Sequence, residues 1–196
     1  MYKIKNKKYY KCDNCFSVML DPLDYLSQEE EKERYKNHNN DVNDPRYQKF
    51  VSPIVEKVRD HYDTNHLGLD YGAGTGPVIT SLLEKEGYAL RLYDPFFHLY
   101  PKKLSIKYDY IICSEVIEHF HHPYEEFKSL AEMLKPKGSI FCLTSLYNEE
   151  IDFETWYYKN DDTHVFFYHK KALEWIRNKF DFSDFFIDGK LIKLTK

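Results

Sequence analysis

Residues 68–76 read GLDYGAGTG, with glycines at 72, 74 and 76 and Asp70 two residues ahead of the first of them. The stretch follows the apolar run HLGLDY (66–71), which reads as a buried strand. It precedes PVITSLLEKEG (77–87), which reads as a helix ended by Gly87. A glycine loop between strand and helix lets backbone approach a ligand closely, as in phosphate and dinucleotide sites. This loop is built for something else. The dinucleotide fingerprint needs glycine six positions along, where this chain has Pro77, and proline removes an N–H from the helix end that would hold pyrophosphate. The Gly-Lys-Ser/Thr of a Walker loop is also missing.

Asp70 sharpens the reading. A carboxylate at the strand end repels a diphosphate and favours a ligand that carries an ammonium group. S-adenosylmethionine is such a ligand, with an adenosine, a methionine ammonium, a sulfonium and no phosphate. Asp94 ends the next strand, YALRLYD (88–94), and stands where a carboxylate accepts hydrogen bonds from both ribose hydroxyls.

Outward from the loop the pattern stays strand, helix, strand. YDYIICS (108–114) is a strongly apolar strand, PYEEFKSLAEMLK (123–135) a helix, GSIFCLTS (138–145) another strand and KKALEWIRNKF (170–180) an amphipathic helix. The tail FSDFFIDGKLIKLTK (182–196) holds two apolar runs around Asp188-Gly189, which predicts a type I′ hairpin turn. Such units predict an α/β fold with a mostly parallel sheet, right-handed crossovers, helices on both faces and an antiparallel hairpin at the end. Residues 95–106 carry two prolines and no period and read as irregular. Residues 149–168 are aromatic and acidic with weak periodicity, and read as a lid or connection rather than core.

Upstream, residues 8–20 read as two short strands around a Cys12-x-x-Cys15 turn. Ser27 with Glu30 marks a capping box for a polar helix over 28–37, and Asp44-Pro45 opens a helix to about His61. This divides the chain into a small Cys-x-x-Cys element (1–25), a helical cap (26–63) and the ligand-binding domain (64–196). The four cysteines are too few for a disulfide framework. With 28 basic and 32 acidic residues there is no global basic field for duplex nucleic acid, and no run of about 18 apolar residues marks a membrane span. The reading is a soluble, unsecreted, cytoplasmic protein, monomer or homodimer, with no membrane partner, a small-molecule acceptor and nucleic acid disfavoured as a partner.

The stretches LDYGAGTGPV, LYDPFF, YDYIICSEVIEHF, LKPKGSIFCLTS and DDTHVFFY resemble the class I S-adenosylmethionine-dependent methyltransferases, most closely bacterial methyltransferase-domain proteins with a short Cys-x-x-Cys element ahead of the domain. The resemblance implies a Rossmann-like, seven-stranded sheet whose last strand is antiparallel, with S-adenosyl-L-methionine over the carboxyl ends of the first strands. Carried over by position, it implies that Asp70, Gly72, Gly74 and Gly76 surround the methionine and ribose, and that Asp94 holds the ribose beside Pro95. Ser114 and Glu115 fall near the methyl donor.

Glu115, Glu118 and His119 in SEVIEHF, with His164 in DDTHVFF, form the second constellation. Glu118, His119 and His164 are the expected catalytic residues, with a histidine as general base. The set also resembles the small-RNA 3′-end 2′-O-methyltransferases, in which a similar ExxEH and a distant histidine bind a divalent metal. No metal is assigned to it at this point. His121 and His122 read as a solvated helix start, Cys12 and Cys15 as a remnant hairpin or, alternatively, as half of a zinc site shared between two chains or completed by another residue, Arg34, Tyr35, His38 and Asn39 as cavity candidates, and Trp156, Tyr157 and Tyr158 as a surface for a planar acceptor. The expected function is methyl transfer to an oxygen or nitrogen of a small molecule. Metal-assisted RNA 2′-O-methylation and a non-catalytic cofactor-binding module are the alternatives.

Overall fold

The computed structural model describes residues 1–37 and 41–196, so the expectations for His38 and Asn39 lie outside the described residues. The chain opens with three antiparallel strands, β1 (Tyr2–Ile4), β2 (Lys7–Lys11) and β3 (Val18–Leu20), with the Cys12/Cys15 turn between the last two. Phe16, at φ 59°, takes the left-handed position that closes this turn. Helix α1 (Gln28–Lys36) starts at the predicted capping box, with Ser27 accepting from Glu30 N–H and Glu30 accepting from Ser27 N–H. Helix α2 (Pro45–His61) starts as predicted at Asp44, whose carboxylate accepts from Arg46 N–H.

The chain continues as β4 (Leu67–Tyr71), α3 (Val78–Glu84), β5 (Ala89–Tyr93), β6 (Tyr108–Ser114), α4 (Pro123–Met133) and β7 (Leu134–Leu143). It continues with β8 (Phe166–Phe167), α5 (Lys170–Lys179), β9 (Asp184–Asp188) and β10 (Leu191–Thr195). The main sheet has the order β5-β4-β6-β7-β10-β9. Its first four strands are parallel, and β10 runs antiparallel to both β7 and β9. The mostly parallel α/β sheet with a terminal antiparallel hairpin is as expected.

The strand count is not. Among the described residues the sheet has six strands instead of seven, and the missing one would lie outside β5. Reaching such a strand and returning to β6 needs two parallel crossovers of roughly a dozen residues each. Residues 94–107 supply only a short loop and a 3₁₀ turn at Pro101–Ser105. The last hairpin differs too. Asp188 pairs with Leu191, so Gly189 and Lys190 form the two-residue loop, and Gly189 alone has positive φ (56°), the type II′ pattern and not type I′.

Both faces of the sheet are covered, because alternate residues of each strand point to opposite sides. Val51, Ile54, Val55 and Val58 of α2 and Val78, Ile79 and Leu83 of α3 pack on Tyr110, Ile112 and Phe141. Phe127, Leu130 and Ala131 of α4 and Leu173 and Ile176 of α5 pack on Leu69, Ile111, Cys113 and Cys142. A third apolar cluster lies beside the sheet. Strand β8 pairs with β3 to make a four-stranded sheet, and Phe153, Tyr158, Val165 and Phe167 pack there against Tyr9, Val18 and Leu20. Residues 149–168 are therefore part of a core and not only a connection. Their rings are spread over turns and a two-residue strand, so no period of 2 or 3.6 marks them in sequence.

Candidate active site

The chain leaves β4 toward β5 on one side and later reaches β6 on the other, which opens a crevice at the carboxyl ends of these strands. Asp70 closes β4, buried, with the Thr80 hydroxyl donating to its Oδ2 at 2.7 Å. Burial pushes its carboxyl up to about 6. The glycine loop then turns back toward β5: Gly72 and Ala73 donate N–H to the Tyr93 carbonyl at 2.8 and 3.1 Å. Gly72 has φ +78°, and a Cβ there would stand 2.5 Å from Val116 Cγ2, so both conformation and space demand glycine. Asp94, just after β5, accepts from Gly74 N–H at 3.0 Å on one oxygen and from Phe96 and Phe97 N–H at 2.8 and 3.0 Å on the other. It fixes the loop as well as facing the crevice.

The other end is built around the end of β6. Glu115 adopts φ 51°, rare for a residue with a side chain, directly after Ser114. Glu118 follows in a 3₁₀ turn and is wholly buried. Tyr158, from the third cluster, donates its hydroxyl to Glu118 Oε1, lies 3.3 Å from Glu115 Oε2 and receives the Thr144 hydroxyl at 3.1 Å. Burial raises both carboxyls to about 7, with the charge of Glu118 adding to the shift of Glu115, and burial with the two glutamates raises the Tyr158 phenol. Glu115 Oε1 and Glu118 Oε2 are buried without a hydrogen-bond partner. Lys190 Nζ, reaching in from the β9–β10 turn, stands 3.8 Å from Glu115 Oε1, an ion-pair distance too long for a hydrogen bond.

His119 and His164 lie side by side, ring centroids 4.8 Å apart. The Thr163 carbonyl sits 2.9 Å from His119 Nδ1 and the Tyr158 carbonyl 2.6 Å from His164 Nδ1. A carbonyl only accepts, so each proton is on Nδ1 and each lone pair on Nε2. Burial lowers the pKa of His119.

Helix α1 forms a wall over the crevice. Tyr35 packs between His119 and Phe96, at centroid distances of 5.4 and 5.8 Å. Arg34 pairs with Asp161 at 2.8 Å, and Glu31 with His121 Nε2 at 2.8 Å. His121 is thus a fastening point for α1 and not a solvated helix start. Trp156 also departs from expectation: it packs on Phe153, Tyr158 and Phe167 in the third cluster, while Tyr157 and Tyr158 do line the crevice.

One cavity of about 710 Å³ joins the two ends. Asp70, Gly72, Gly74, Gly76, Asp94, Pro95, Ser114, Glu115, His119 and His164 all line it, and Glu118 lies just beneath the surface. Sequence reasoning missed Glu31, Tyr47, Phe50, Glu126, Asp161 and Lys190. Only Lys190 carried a signal, its place next to the turn glycine.

A family profile described as a methyltransferase domain matches residues 18–184. The chain belongs to that family. No curated protein matches its sequence. Solved methyltransferases share the fold of this methyltransferase-domain chain. A 1,6-didemethyltoxoflavin-N1-methyltransferase from Burkholderia thailandensis, with bound 1,6-didemethyltoxoflavin and S-adenosylhomocysteine, aligns over 100% of this chain and 98% of its own, at TM-score 0.62 and 12% identity. An O-methyltransferase family protein from the same organism gives 0.58 and 11% identity over 84% of this chain, which spans only 61% of that protein. A SAM-dependent methyltransferase from Archaeoglobus fulgidus gives 0.55 and 18% identity over 76% and 94% of the two chains. Among the described residues no helix is long and apolar enough to cross a membrane.

Proposed function

We propose that the chain transfers a methyl group from S-adenosyl-L-methionine to an oxygen or nitrogen nucleophile of a small molecule. The observation that carries this reading is the single cavity with a glycine loop and two carboxylates at one end and a Glu/His/Tyr constellation at the other. Its volume is within the range of small-ligand sites. The donor end fits the cofactor: Asp70 is an acid for an ammonium, Asp94 an acid for ribose, and the loop of Gly72, Gly74 and Gly76 borders the cavity with backbone instead of side chains. Ser114 Oγ is a buried hydroxyl with no protein partner. When bound, S-adenosylmethionine supplies an electrophilic methyl group on a sulfonium. Phe96 and Pro95 would bound the adenine, and the backbone of residues 72–76 the methionine part.

At the acceptor end Glu115, His119 and His164 border the cavity, with Glu118 behind them, and deal with the acceptor's proton. Tyr47, Phe50 and Tyr157 provide apolar and aromatic area for a planar compound. The fold of the Burkholderia N1-methyltransferase, a protein holding a small heteroaromatic compound and S-adenosylhomocysteine, supports this choice. RNA is disfavoured as acceptor because Glu31, Asp70, Asp94, Glu115, Glu126 and Asp161 line the cavity against one lysine, Lys190, and a phosphate backbone needs the reverse. We place the protein in the cytoplasm, as a monomer or homodimer. Calorimetry with S-adenosylhomocysteine, then incubation with labelled methyl donor and fractionated cell extract, tests the proposal. Binding and label in a small-molecule fraction are expected; absence of binding, or label only in RNA, overturns it.

A further inference from the structure

We propose that Lys190 selects the acceptor: its ammonium donates to the oxygen of an acceptor hydroxyl, and Glu115 receives the proton of that hydroxyl. This rests on the methyl-transfer reading and narrows its acceptor from an oxygen or nitrogen compound to a hydroxyl compound.

Three observations converge. The first is placement. Gly189 and Lys190 form the turn between β9 and β10, and the Lys190 carbonyl accepts from Thr144 N–H at 3.1 Å, one residue past the end of β7. Glu115 N–H donates to the carbonyl of Leu143, the last residue of β7, at 2.8 Å. Both side chains therefore start from the same strand end, on backbone fixed by the sheet, and both line the cavity.

The second is the way the ammonium is held. Lys190 is the one lysine or arginine among the described residues that line the cavity, which also presents six carboxylates. Its Nζ stands 5.2 Å from the centroid of the Phe50 ring and 5.6 Å from that of Tyr158. A long, flexible side chain whose sole task was to pair with Glu115 would close to hydrogen-bond distance. Here the ammonium rests on two rings and stays 3.8 Å from Glu115 Oε1, with no hydrogen-bond acceptor among the described residues.

The third is complementarity. Glu115 Oε1 is a buried acceptor without a donor, on a residue held at φ 51°. An unmatched donor and an unmatched acceptor thus face one another across a gap that neither closes. A hydroxyl satisfies both at once, accepting from Nζ and donating to Oε1. Two such bonds of about 2.8 Å meeting at one oxygen span roughly 4.5 Å, so the ammonium withdraws by less than ~1 Å to admit it. Its own torsions supply that movement. An amino group on a planar ring fits worse: it donates to Oε1, but its lone pair is drawn into the ring and accepts poorly, so Lys190 stays unmatched. An ether oxygen accepts from Lys190 and leaves Oε1 unmatched.

The transfer balances without a further reagent. The oxygen forms its bond to the methyl carbon as the carbon–sulfur bond breaks, and that electron pair stays on sulfur, which leaves as a neutral thioether. The hydroxyl proton passes along its hydrogen bond to Glu115 Oε1 and later to solvent. Lys190 stabilises the negative charge that grows on the oxygen as the proton leaves.

The test uses two matched pairs of planar probes, 4-nitrophenol with 4-nitroaniline and 6-hydroxyquinoline with 6-aminoquinoline. Calorimetry reads their binding to the full chain with and without S-adenosylhomocysteine. Wild type should bind the hydroxyl member of at least one pair ~10-fold or more tightly than the amino member, the worth of about one charge-assisted hydrogen bond. Lys190→Met should lower the affinity for that hydroxyl probe by about the same factor and leave the amino probe within ~2-fold. Lys190→Arg should restore most of the preference. Lys190→Gln, which lacks the charge, is the second variant should Lys190→Met melt early, and should show the larger part of the same loss. Absence of binding by all four probes, a preference for the amino members, or an equal hydroxyl preference in wild type and Lys190→Met overturns the role of Lys190. Should S-adenosylhomocysteine fail to bind while Lys190→Met still loses the hydroxyl preference, the methyl-transfer reading falls and hydroxyl recognition by Lys190 stands.

Discussion

Asp70→Asn should make the ligand-free protein more stable at neutral pH and unable to respond to its cofactor. The carboxyl of Asp70 is buried and raised from 3.8 to about 6, chiefly by loss of water. A folded-state pKa above the unfolded value means that the folded chain holds more protons between those pH values. Stability from this residue is thus present in full below about 3.8 and lost as pH rises through about 6. Each unit corresponds to about 1.4 kcal/mol, so the charged Asp70 costs roughly 3 kcal/mol at pH 7.5. Asparagine keeps an oxygen for the Thr80 hydroxyl and removes the charge. The stability of the variant minus that of wild type should rise by up to ~3 kcal/mol between pH 4 and pH 7.5, a rise of roughly 6–12 °C in relative Tm for a chain of this size. Thermal melts at half-unit pH intervals read this double difference, in which other titrating groups cancel. S-adenosylhomocysteine should raise the wild-type Tm and leave that of the variant unmoved. A difference that is flat across the range, or that falls, refutes the account of Asp70 as a strained charge held for a cationic ligand.

Gly72→Ala should lower S-adenosylhomocysteine affinity at least tenfold by calorimetry, because a Cβ at φ +78° meets Val116 and the loop must move. Tyr158→Phe removes the hydroxyl that donates to Glu118 Oε1 and should destabilise the fold by about 1–3 kcal/mol in urea melts at pH 8; an unchanged midpoint would refute the role given to its hydroxyl. Arg34→Ala breaks a partly exposed ion pair, so global stability should fall by less than about 1 kcal/mol. Amide exchange in α1 should nevertheless quicken, since that polar helix is fastened to the cavity rim mainly by Arg34, Glu31 and Tyr35.

The glycine-loop end of the cavity was legible in the sequence because it is local. Asp70, the three glycines, Asp94 and Pro95 fall within one strand-loop-helix-strand stretch, and each residue type is tied to a backbone or charge requirement. The caps of α1 and α2 were legible for the same reason. At the other end Glu115, Glu118, His119 and His164 could be named, but their meeting depends on residues 149–168, whose packing has no periodic signature. Lys190, Glu31 and Asp161 reach the cavity only through the positions of the last hairpin, α1 and that same segment. The count of seven strands came from the resemblance, and the length of residues 94–107 overrode it. The type I′ turn failed because register with β10, not the Asp-Gly pair, chooses which two residues turn.

The pairing of Val18 with Phe167 joins residues about 150 positions apart, and it closes the sheet against which Tyr158 packs. Closing so long a loop is an entropic burden that only a prior scaffold relieves. The parallel core around β6 and β7 must therefore stand before the acceptor wall can be raised. In native-state hydrogen exchange β3 and β8 should accordingly open at lower free energy than β6 and β7, so that the wall holding Tyr158 loosens while the sheet beneath the glycine loop stays closed.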